Sequence, residues 1–201
     1  ELSGVPVGTV QKVLGGITKT PRYDTLYALE KVLSPYYQPM MIRESVVGYG
    51  EKKQGEYTVE DYFALPDERR VELIDGVIYD MASPTLLHQT ISMEICANFR
   101  DYIRSKRGKC IAGVAPWDVQ LDCDNKTMVQ PDVYVVCDKS KIRNGRLFGS
   151  PDFIVEVLSS STRRKDMSIK LGKYAEAGVR EYWLVDPEKK RVLVYPLEQD
   201  E

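Results

Sequence analysis

The sequence has little histidine, no closely spaced cysteine pair and no long apolar run, and each shortage excludes a class of protein. His88 is the only histidine, and Cys96, Cys110, Cys123 and Cys137 lie 13 or 14 residues apart. A structural zinc site needs closely spaced pairs of these residues, so we expect none. We expect reduced, packed thiols, with disulfides as the alternative.

No stretch approaches the roughly 18 apolar residues of a membrane span, and no basic-then-apolar leader is visible, so we expect a cytoplasmic protein.

An excess of charge of either sign is also missing. The chain has 28 Lys and Arg against 30 Asp and Glu, which gives a net charge of −2. Binding that coats nucleic acid regardless of its sequence depends on many basic side chains that neutralise phosphates. Any contact with DNA must therefore be local. With 201 residues and 43% apolar content, the chain can bury one good core beside a small accessory unit.

The first 56 residues are predicted to form a small helical unit followed by a linker. Residues 1–35 contain two short helical patterns separated by Gly15-Gly16, and residues 36–56 have the Pro, Gly and polar content of a linker. Residues 1–34 resemble the second half of a Cro/repressor-type helix-turn-helix, with Val7–Leu14 as the recognition helix. That resemblance implies that Thr9, Gln11 and Lys12 face the major groove of DNA. The alternative is that the two helices are an ordinary packing appendage.

Residues 57–201 are predicted to form a mixed α/β domain. A capping-box pattern at Thr58 starts a short helix that Pro66 ends, Asp75-Gly76 predicts a hairpin, and an amphipathic helix follows Pro84. A further helix should run from Asp166 to Gly178. Strands are expected at residues 71–74, 77–81, 109–115, 117–122, 131–137, 152–158, 181–185 and 191–195, with a basic, glycine-bearing loop over residues 138–149.

Two acidic residues interrupt apolar strands, and a lysine follows them on a helix. Asp132 and Glu156 lie within the runs Gln130–Val133 and Asp152–Ser159, where a buried carboxylate is costly unless a cation neutralises it. Hard carboxylate oxygens suit Mg²⁺, and Lys170 shares a helix face with Asp166 and Tyr174. Lys165 and Lys173 are weaker candidates. Taken singly, Asp132 could end a loop, Glu156 could pair with an arginine, and Lys170 could be a solvated lysine.

The second domain resembles the Uma-two family of proposed endonucleases, a branch of the PD-(D/E)xK superfamily with a restriction-endonuclease-like core. The resemblance is carried by residues 71–78, 81–84, 130–133, 155–159 and 177–187, with His88, Asp166, Lys170 and Tyr174. It implies that Asp132 and Glu156 bind Mg²⁺ or Mn²⁺, with the main-chain carbonyl of Val157 as a possible further ligand. Leu158 stands where the superfamily formula has lysine, and the family places its lysine on the next helix, which fits Lys170. Glu72 matches an additional acid, either a base or a ligand for another metal.

Three further residues are candidates for contact with DNA. His88 could bind phosphate or assist proton transfer, and it could equally cap the start of its helix. Arg163 and Arg164 belong to a basic cluster after the second acidic strand. These arginines could bind the phosphates that flank a cleavage site. The alternative is that they belong to an ordinary solvent-exposed turn.

The sequence therefore predicts a metal-dependent DNA endonuclease in which Lys170 orients or activates the attacking water. We expect DNA as the partner, a homodimer, and no small-molecule cofactor beyond the metal. The alternative is a DNA-binding transcriptional regulator in which the nuclease-like module is catalytically inactive.

Overall fold

The computed structural model describes residues 4–14, 25, 28–29, 52–66, 68–121 and 124–198. The chain divides into two compact units, Glu1–Glu44 and Ser45–Glu201. In the first unit, α1 spans Val7–Leu14, the length predicted for the recognition helix. Thr25, Ala28 and Leu29 are also helical. The rest of the predicted second helix and most of the linker lie outside the described residues, and the proposed domain boundaries stay predictions.

The second unit combines eleven described strands with a few helices. The helices are α2 (Val59–Phe63), α3 (Leu86–Ser105), a 3₁₀ turn (Lys139–Lys141), a π-helix (Lys165–Lys170) and α4 (Leu171–Glu176). The strands are β1 (Val71–Ile74), β2 (Val77–Asp80), β3 (Ile111–Val114), β4 (Val119–Gln120), β5 (Met128–Val129), β6 (Val133–Val136), β7 (Ile142–Arg143), β8 (Arg146–Phe148), β9 (Phe153–Val157), β10 (Glu181–Asp186) and β11 (Arg191–Pro196). Across the described part of the chain, no helix combines the length and apolar character that a membrane crossing requires.

The strands form two mixed sheets, which confirms the predicted α/β class. The first sheet has the order β2-β1-β5-β4-β8-β7 and the second has the order β11-β10-β9-β6-β3. In the second sheet β9 and β10 are parallel, so the chain must cross between them, and the π-helix and α4 form this crossover. The crossover brings Lys170 back to the sheet that contains Glu156.

The two faces of the second sheet have different contents. Val133, Val155, Val157 and Val185 form one apolar cluster with Cys96 of α3. Because strand side chains alternate between faces, Glu156 points to the opposite face. That face also carries Tyr182 and Leu184, which are fully buried. A charged side chain is thereby placed inside the protein rather than at its surface.

Two hairpins turn at residues with positive φ. Asp75 and Gly76 have φ of 52° and 73°, and Asn144 and Gly145 have φ of 50° and 78°. Positive φ at both turn residues is the geometry of a two-residue hairpin, for which Asp-Gly and Asn-Gly are favoured. The first hairpin was predicted. The second corrects the prediction of a loop over residues 138–149, because β7 and β8 are only two and three residues long and their apolar alternation is too short to recognise.

The cysteine prediction was wrong for two of the four residues. Cys110 and Cys137 form a disulfide with Cα atoms 3.9 Å apart. The reason is the strand pairing: Ile111 lies opposite Val136, so the next residues outward face each other across β3 and β6. Spacing of 27 residues along the chain does not show this. Cys96 is a buried free thiol, as expected, and Cys123 lies outside the described residues.

The helix predicted from Asp166 to Gly178 is not α-helical throughout. Residues Lys165–Lys170 form a π-helix, and α4 continues to Glu176. Gly178 follows with φ of 82°, a conformation that glycine adopts at helix ends without steric cost. The prediction of the end was confirmed, and the change of helix type in the first part was not foreseen.

Candidate active site

Four predicted site residues converge from four separate elements. Glu72 comes from β1 in the first sheet, Asp132 precedes β6, Glu156 lies in β9, and Lys170 ends the π-helix. Glu72, Glu156 and Lys170 are buried, and Asp132 is partly buried. The site therefore lies between elements that belong to both sheets.

The Lys170 ammonium joins the acids of the two sheets. Its Nζ lies 2.6 Å from Glu72 Oε1 and 2.8 Å from Glu156 Oε1. A third carboxylate, that of Asp166 one turn earlier, lies 3.8 Å away. Lys170 is thus neither solvated nor remote, and it is the central cation of a buried acidic cluster.

Asp132 closes the end of the β6–β9 pair. Val133 lies opposite Val155, so Asp132 falls beside Glu156, and its N–H donates to Glu156 Oε2 at 3.3 Å. Its side chain accepts a hydrogen bond from the Val157 N–H at 2.8 Å. Both acids therefore lie at the same edge and on the same side of the sheet, within direct reach of each other.

Four residues outside the predicted core of the site complete the cluster. Lys165 Nζ lies 2.8 Å from Glu72 Oε2, Tyr174 donates to Glu156 Oε1 at 2.8 Å, and the Gln130 N–H donates to Glu72 Oε1 at 3.1 Å. Asp166 is the fourth. Asp166 and Tyr174 could be found from their four-residue spacing to Lys170. Lys165 was ranked as weaker because it precedes the predicted helix, whereas the π-helix begins at this residue.

Burial and neighbouring charges both shift the pKa values of these groups. Burial tends to raise the pKa of Glu72, but Lys170 and Lys165 outweigh it and hold the pKa at about 2. Burial raises the pKa of Glu156 well above its ordinary value, and Asp132, Asp166 and Glu72 add to the effect. Burial also raises the pKa of Asp166 to about 6. Burial lowers the pKa of Lys170, but Glu156, Glu72 and Asp166 outweigh this and raise it well above the ordinary value.

The cluster has more negative than positive groups. Within the described part of the chain, the permanent cations that contact Glu72, Asp132, Glu156 and Asp166 are Lys165 and Lys170. A buried group of acids with too few cations either keeps a proton or attracts another cation. The oxygens at this edge are those of two carboxylates and of the Val157 carbonyl, with which His88 also interacts, and they are hard ligands of the kind that Mg²⁺ takes.

The donor set fits such a cation only in part. Among the described residues, no three His, Cys, Asp and Glu side chains already form a metal-binding group. Mg²⁺ usually binds through one or two carboxylates together with waters and substrate oxygens. Asp132 and Glu156 therefore meet the minimum that this ion requires from a protein, and the substrate would supply the rest.

His88 contacts the site, while the other candidate DNA-binding residues are placed differently. His88 Nε2 lies 3.1 Å from Asp132 Oδ2, and this hydrogen bond raises the pKa of His88 against the effect of its burial. Arg163 donates two hydrogen bonds to Asp186, at 2.8 and 2.9 Å, and Arg164 is exposed. A role for these two arginines on DNA stays a prediction.

The residues predicted for DNA contact in the first unit lie on α1. Gln11 and Lys12 are exposed and Thr9 is partly buried. The three residues lie within two turns of one helix, as the predicted recognition helix requires. Their contact with DNA stays a prediction.

Comparison with known proteins identifies the family. The Uma2 family, described as "Putative restriction endonuclease", matches residues 59–201, and the chain belongs to this family. The uncharacterized protein slr1290 of Synechocystis sp. is 28% identical over 144 residues, which cover 70% of this chain and 74% of that protein. A crystal structure of a protein from Anabaena variabilis, described as a "putative nuclease belonging to DUF820", is similar with a TM-score of 0.59. It is 22% identical, and the match covers 71% of this chain and 81% of that one, which shows a shared fold.

Proposed function

We propose that this Uma2 protein is a metal-dependent DNA endonuclease that hydrolyses phosphodiester bonds with Mg²⁺ or Mn²⁺. The observation that carries the proposal is the convergence of Asp132, Glu156 and Lys170 at one edge of the second sheet. The description of the family and the fold shared with the Anabaena protein support it. DNA is the proposed substrate for the same reasons, and a homodimer, which suits two-fold DNA sites, is part of the proposal.

Each residue has a distinct proposed role. Asp132 and Glu156, with the carbonyl of Val157, would hold the metal ion, which would neutralise charge on the phosphate and lower the pKa of the attacking water. Lys170 stays protonated because its carboxylate neighbours raise its pKa. It therefore acts as a hydrogen-bond donor that orients water or stabilises charge, rather than as a base.

Glu72 and Lys165 are proposed as positioning residues. The pKa of Glu72 is held at about 2, so Glu72 is ionised at neutral pH and cannot accept the proton of the water. Its two oxygens instead hold Lys170 and Lys165 in place. We therefore propose that Glu72 orients Lys170, whereas the family resemblance implied a base or a ligand for another metal.

Cleavage of supercoiled plasmid DNA tests the proposal. Wild-type protein should nick or cut the plasmid with Mg²⁺ or Mn²⁺ and not with EDTA. Asp132→Ala, Glu156→Ala and Lys170→Ala should each lose about a hundredfold or more in rate. Glu94→Ala and Lys139→Ala, which remove exposed charges elsewhere, serve as matched controls and should cut normally. Equal cutting by Asp132→Ala and the controls would contradict the assignment.

Calorimetry gives a second test that is independent of turnover. Titration of Mn²⁺ into wild-type protein should show binding, and Glu156→Ala should weaken it strongly because one of the two carboxylates is lost. Binding of equal strength in Glu156→Ala would contradict the assignment of this residue as a ligand. Light scattering of the same samples tests the proposed homodimer.

A second candidate function is a DNA-binding regulator with an inactive nuclease-like module. The observation in its favour is that protein groups already contact the two acids, with His88 and the Val157 N–H on Asp132 and with Lys170 and Tyr174 on Glu156. A gel-shift assay separates the two functions. Tight binding that needs no metal, without cleavage under any metal condition, would favour the regulator.

A further inference from the structure

We propose that His88 competes with the metal ion for the oxygens of Asp132 and Val157, so that the ion binds these oxygens only when the imidazole turns away. The proposal rests on the nuclease function proposed above and adds a residue that lowers the affinity of the site for metal. It gives His88 a role other than phosphate binding or proton transfer.

The contacts of His88 coincide with the proposed metal ligands. Its Nε2 lies 3.1 Å from Asp132 Oδ2, and His88 also interacts with the Val157 carbonyl. Asp132 Oδ2 accepts a second hydrogen bond from the Val157 N–H at 2.8 Å, so both lone pairs of this oxygen are used. A metal ion that binds Asp132 through Oδ2 must therefore replace the hydrogen that His88 donates.

The other ring nitrogen argues against His88 as a metal ligand. A histidine that binds metal through Nε2 carries its hydrogen on Nδ1 and usually donates it to a carboxylate, a carbonyl or water. Here Nδ1 of His88 is buried, and it has no hydrogen-bond partner among the described residues. Metal binding through Nε2 would thus leave a buried N–H without an acceptor, which is costly. The surroundings favour Nε2 as the donor.

The main chain of His88 is held firmly, whereas its side chain has room to turn. Its N–H donates to Thr85 Oγ1 at 3.2 Å, and its carbonyl accepts a hydrogen bond from Ser92 Oγ at 3.0 Å. Ile91 and Ile95 follow on the same helix face and pack onto the second sheet. The His88 side chain is 19% exposed, so the imidazole reaches solvent by rotation about its own bonds while α3 stays in place.

The competition also gives Asp132 a partner whenever no metal ion is bound to it. Lys165 and Lys170 form ion pairs with the other acids of the cluster. Within the described part of the chain, neither lysine forms an ion pair with Asp132. The hydrogen bonds from His88 and from the Val157 N–H compensate its charge instead. A carboxylate at this edge without donors would be costly.

Calorimetric titration of Mn²⁺ tests the direction of the effect. His88→Ala should bind Mn²⁺ about tenfold more tightly than wild type, because the ion no longer has to displace a hydrogen bond to a charged oxygen. Gln89→Ala is the matched control, since Gln89 is the next residue of α3 and is exposed. It should bind Mn²⁺ as wild type does. Weaker binding by His88→Ala would make His88 a ligand, and equal binding would show no competition, so either result overturns the proposal.

Urea unfolding separates competition from a merely structural role. In EDTA the unfolding midpoint of His88→Ala should be lower than that of wild type, because Asp132 has lost a donor. In saturating Mn²⁺ this difference should shrink or reverse, because tighter binding stabilises the variant more. A difference of the same size in both conditions would overturn the proposal.

Nuclear magnetic resonance follows the imidazole directly. His88 is the only histidine in the chain, so one set of imidazole signals reports on it. The Nε2–H signal should be present in EDTA and should disappear when Mg²⁺ saturates the protein, because the released imidazole exchanges this hydrogen with water. A signal that persists in saturating Mg²⁺ would show that His88 has not moved, and the proposal would be overturned.

Asp132→Ala separates failure of this proposal from failure of the nuclease proposal. If neither wild type nor His88→Ala binds Mn²⁺, or if Asp132→Ala binds it as wild type does, the metal site itself is wrong and both proposals are overturned. If Mn²⁺ binding needs Asp132 but is unchanged in His88→Ala, only the competition is overturned.

Discussion

Glu156 and Asp186 are buried carboxylates on neighbouring parallel strands and on the same face of the second sheet, yet their surroundings differ. Asp186 accepts both hydrogen bonds of the Arg163 guanidinium, with Arg191 3.6 Å away. Glu156 shares one ammonium with Glu72 and Asp166. The positive charge beside Asp186 therefore exceeds its single negative charge. Glu156 has only a share of the charge of one ammonium.

The pKa values of the two acids move in opposite directions for this reason. The hydrogen bonds from Arg163 hold the pKa of Asp186 well below its ordinary value against the effect of burial, whereas burial and three neighbouring acids raise the pKa of Glu156. Loss of one partner from a compensated buried pair is costly, because the other charge is left buried and unpaired. A carboxylate with too little compensation costs stability, and such strained groups cluster at functional sites. The comparison therefore indicates a structural role for Asp186 and supports the proposed chemical role of Glu156.

The sharpest test of this comparison is Glu156→Gln, for which we expect the largest effect. DNA cleavage should fall by about a thousandfold, because one of two proposed metal ligands is lost. The free energy of unfolding should stay within about 1 kcal/mol of wild type, because the amide removes a charge that is poorly compensated. Plasmid cleavage and urea unfolding measure the two quantities. A loss of several kcal/mol in stability would make Glu156 a structural residue like Asp186.

Asp186→Asn should show the reverse pattern. It leaves Arg163 without its carboxylate partner, and we expect a loss of about 3 kcal/mol in the free energy of unfolding with little change in cleavage per folded molecule. Urea unfolding provides the measurement. Glu188→Gln is the matched control: Glu188 contacts the same guanidinium at 3.1 Å but is 68% exposed, so its loss should cost about 0.5 kcal/mol or less. Equal costs for both variants would contradict the assignment.

The dependence of stability on pH should separate the two kinds of acid. The pKa of Asp166 is raised to about 6 from an ordinary value of 3.8, so Asp166 binds its proton more tightly in the folded state. Its stabilising contribution is complete below about pH 4 and is lost as the pH rises through about 6, on the order of 3 kcal/mol. Asp186, with a lowered pKa, contributes above about pH 4 and loses its contribution as the pH falls.

Urea unfolding between pH 4 and 7, in EDTA, measures this dependence. In Asp166→Asn the loss of stability between pH 4 and 6 should be shallower than in wild type. In Asp186→Asn the profile between pH 4 and 6 should match that of wild type, because the contribution of Asp186 is already complete above about pH 4 and changes only below it. Identical pH profiles for wild type and Asp166→Asn would show that Asp166 is not protonated in the folded protein.

Removal of one hydroxyl from the cluster should have the smallest effect. Tyr174→Phe deletes the hydrogen bond to Glu156 Oε1, so the pKa of Glu156 should rise further and Mn²⁺ should bind about three- to tenfold more weakly at neutral pH. Tyr182→Phe is the matched control, because its hydroxyl donates to the Asp166 carbonyl at 3.1 Å and not to Glu156. Calorimetry should show weaker binding only for Tyr174→Phe.

Local patterns in the sequence predicted much of this fold. Alternation of Val155, Glu156 and Val157 indicated a strand with an acid on one face, and Asp75-Gly76 indicated a hairpin. The amphipathic pattern after Pro84 predicted α3, with its start near the residue observed. These features depend on neighbours along the chain, so the sequence contains them directly. The placement of Lys170 against Glu156 also followed, because its spacing to Asp166 and Tyr174 defines one face of the helix.

The features that were missed depend on contacts between distant segments. Cys110 and Cys137 meet only because β3 pairs with β6 in one register. Arg163 is next to three other polar residues in the sequence, and nothing local indicates that it pairs with Asp186. Lys165 reaches Glu72 across 93 residues. Long-range pairing of this kind is set by the tertiary structure, which propensity and spacing do not specify.

The π-helix over Lys165–Lys170 explains how two lysines reach one carboxylate. A π turn contains one residue more than an α turn, so Lys165 and Lys170 lie about one turn apart and both contact Glu72. In a regular α-helix of the same residues, five steps of about 100° would place the two lysines about 140° apart around the helix axis, and they could no longer both reach Glu72. Regularisation of this turn would therefore take an ammonium away from Glu72, whereas deletion of one residue between the lysines would keep them on one side.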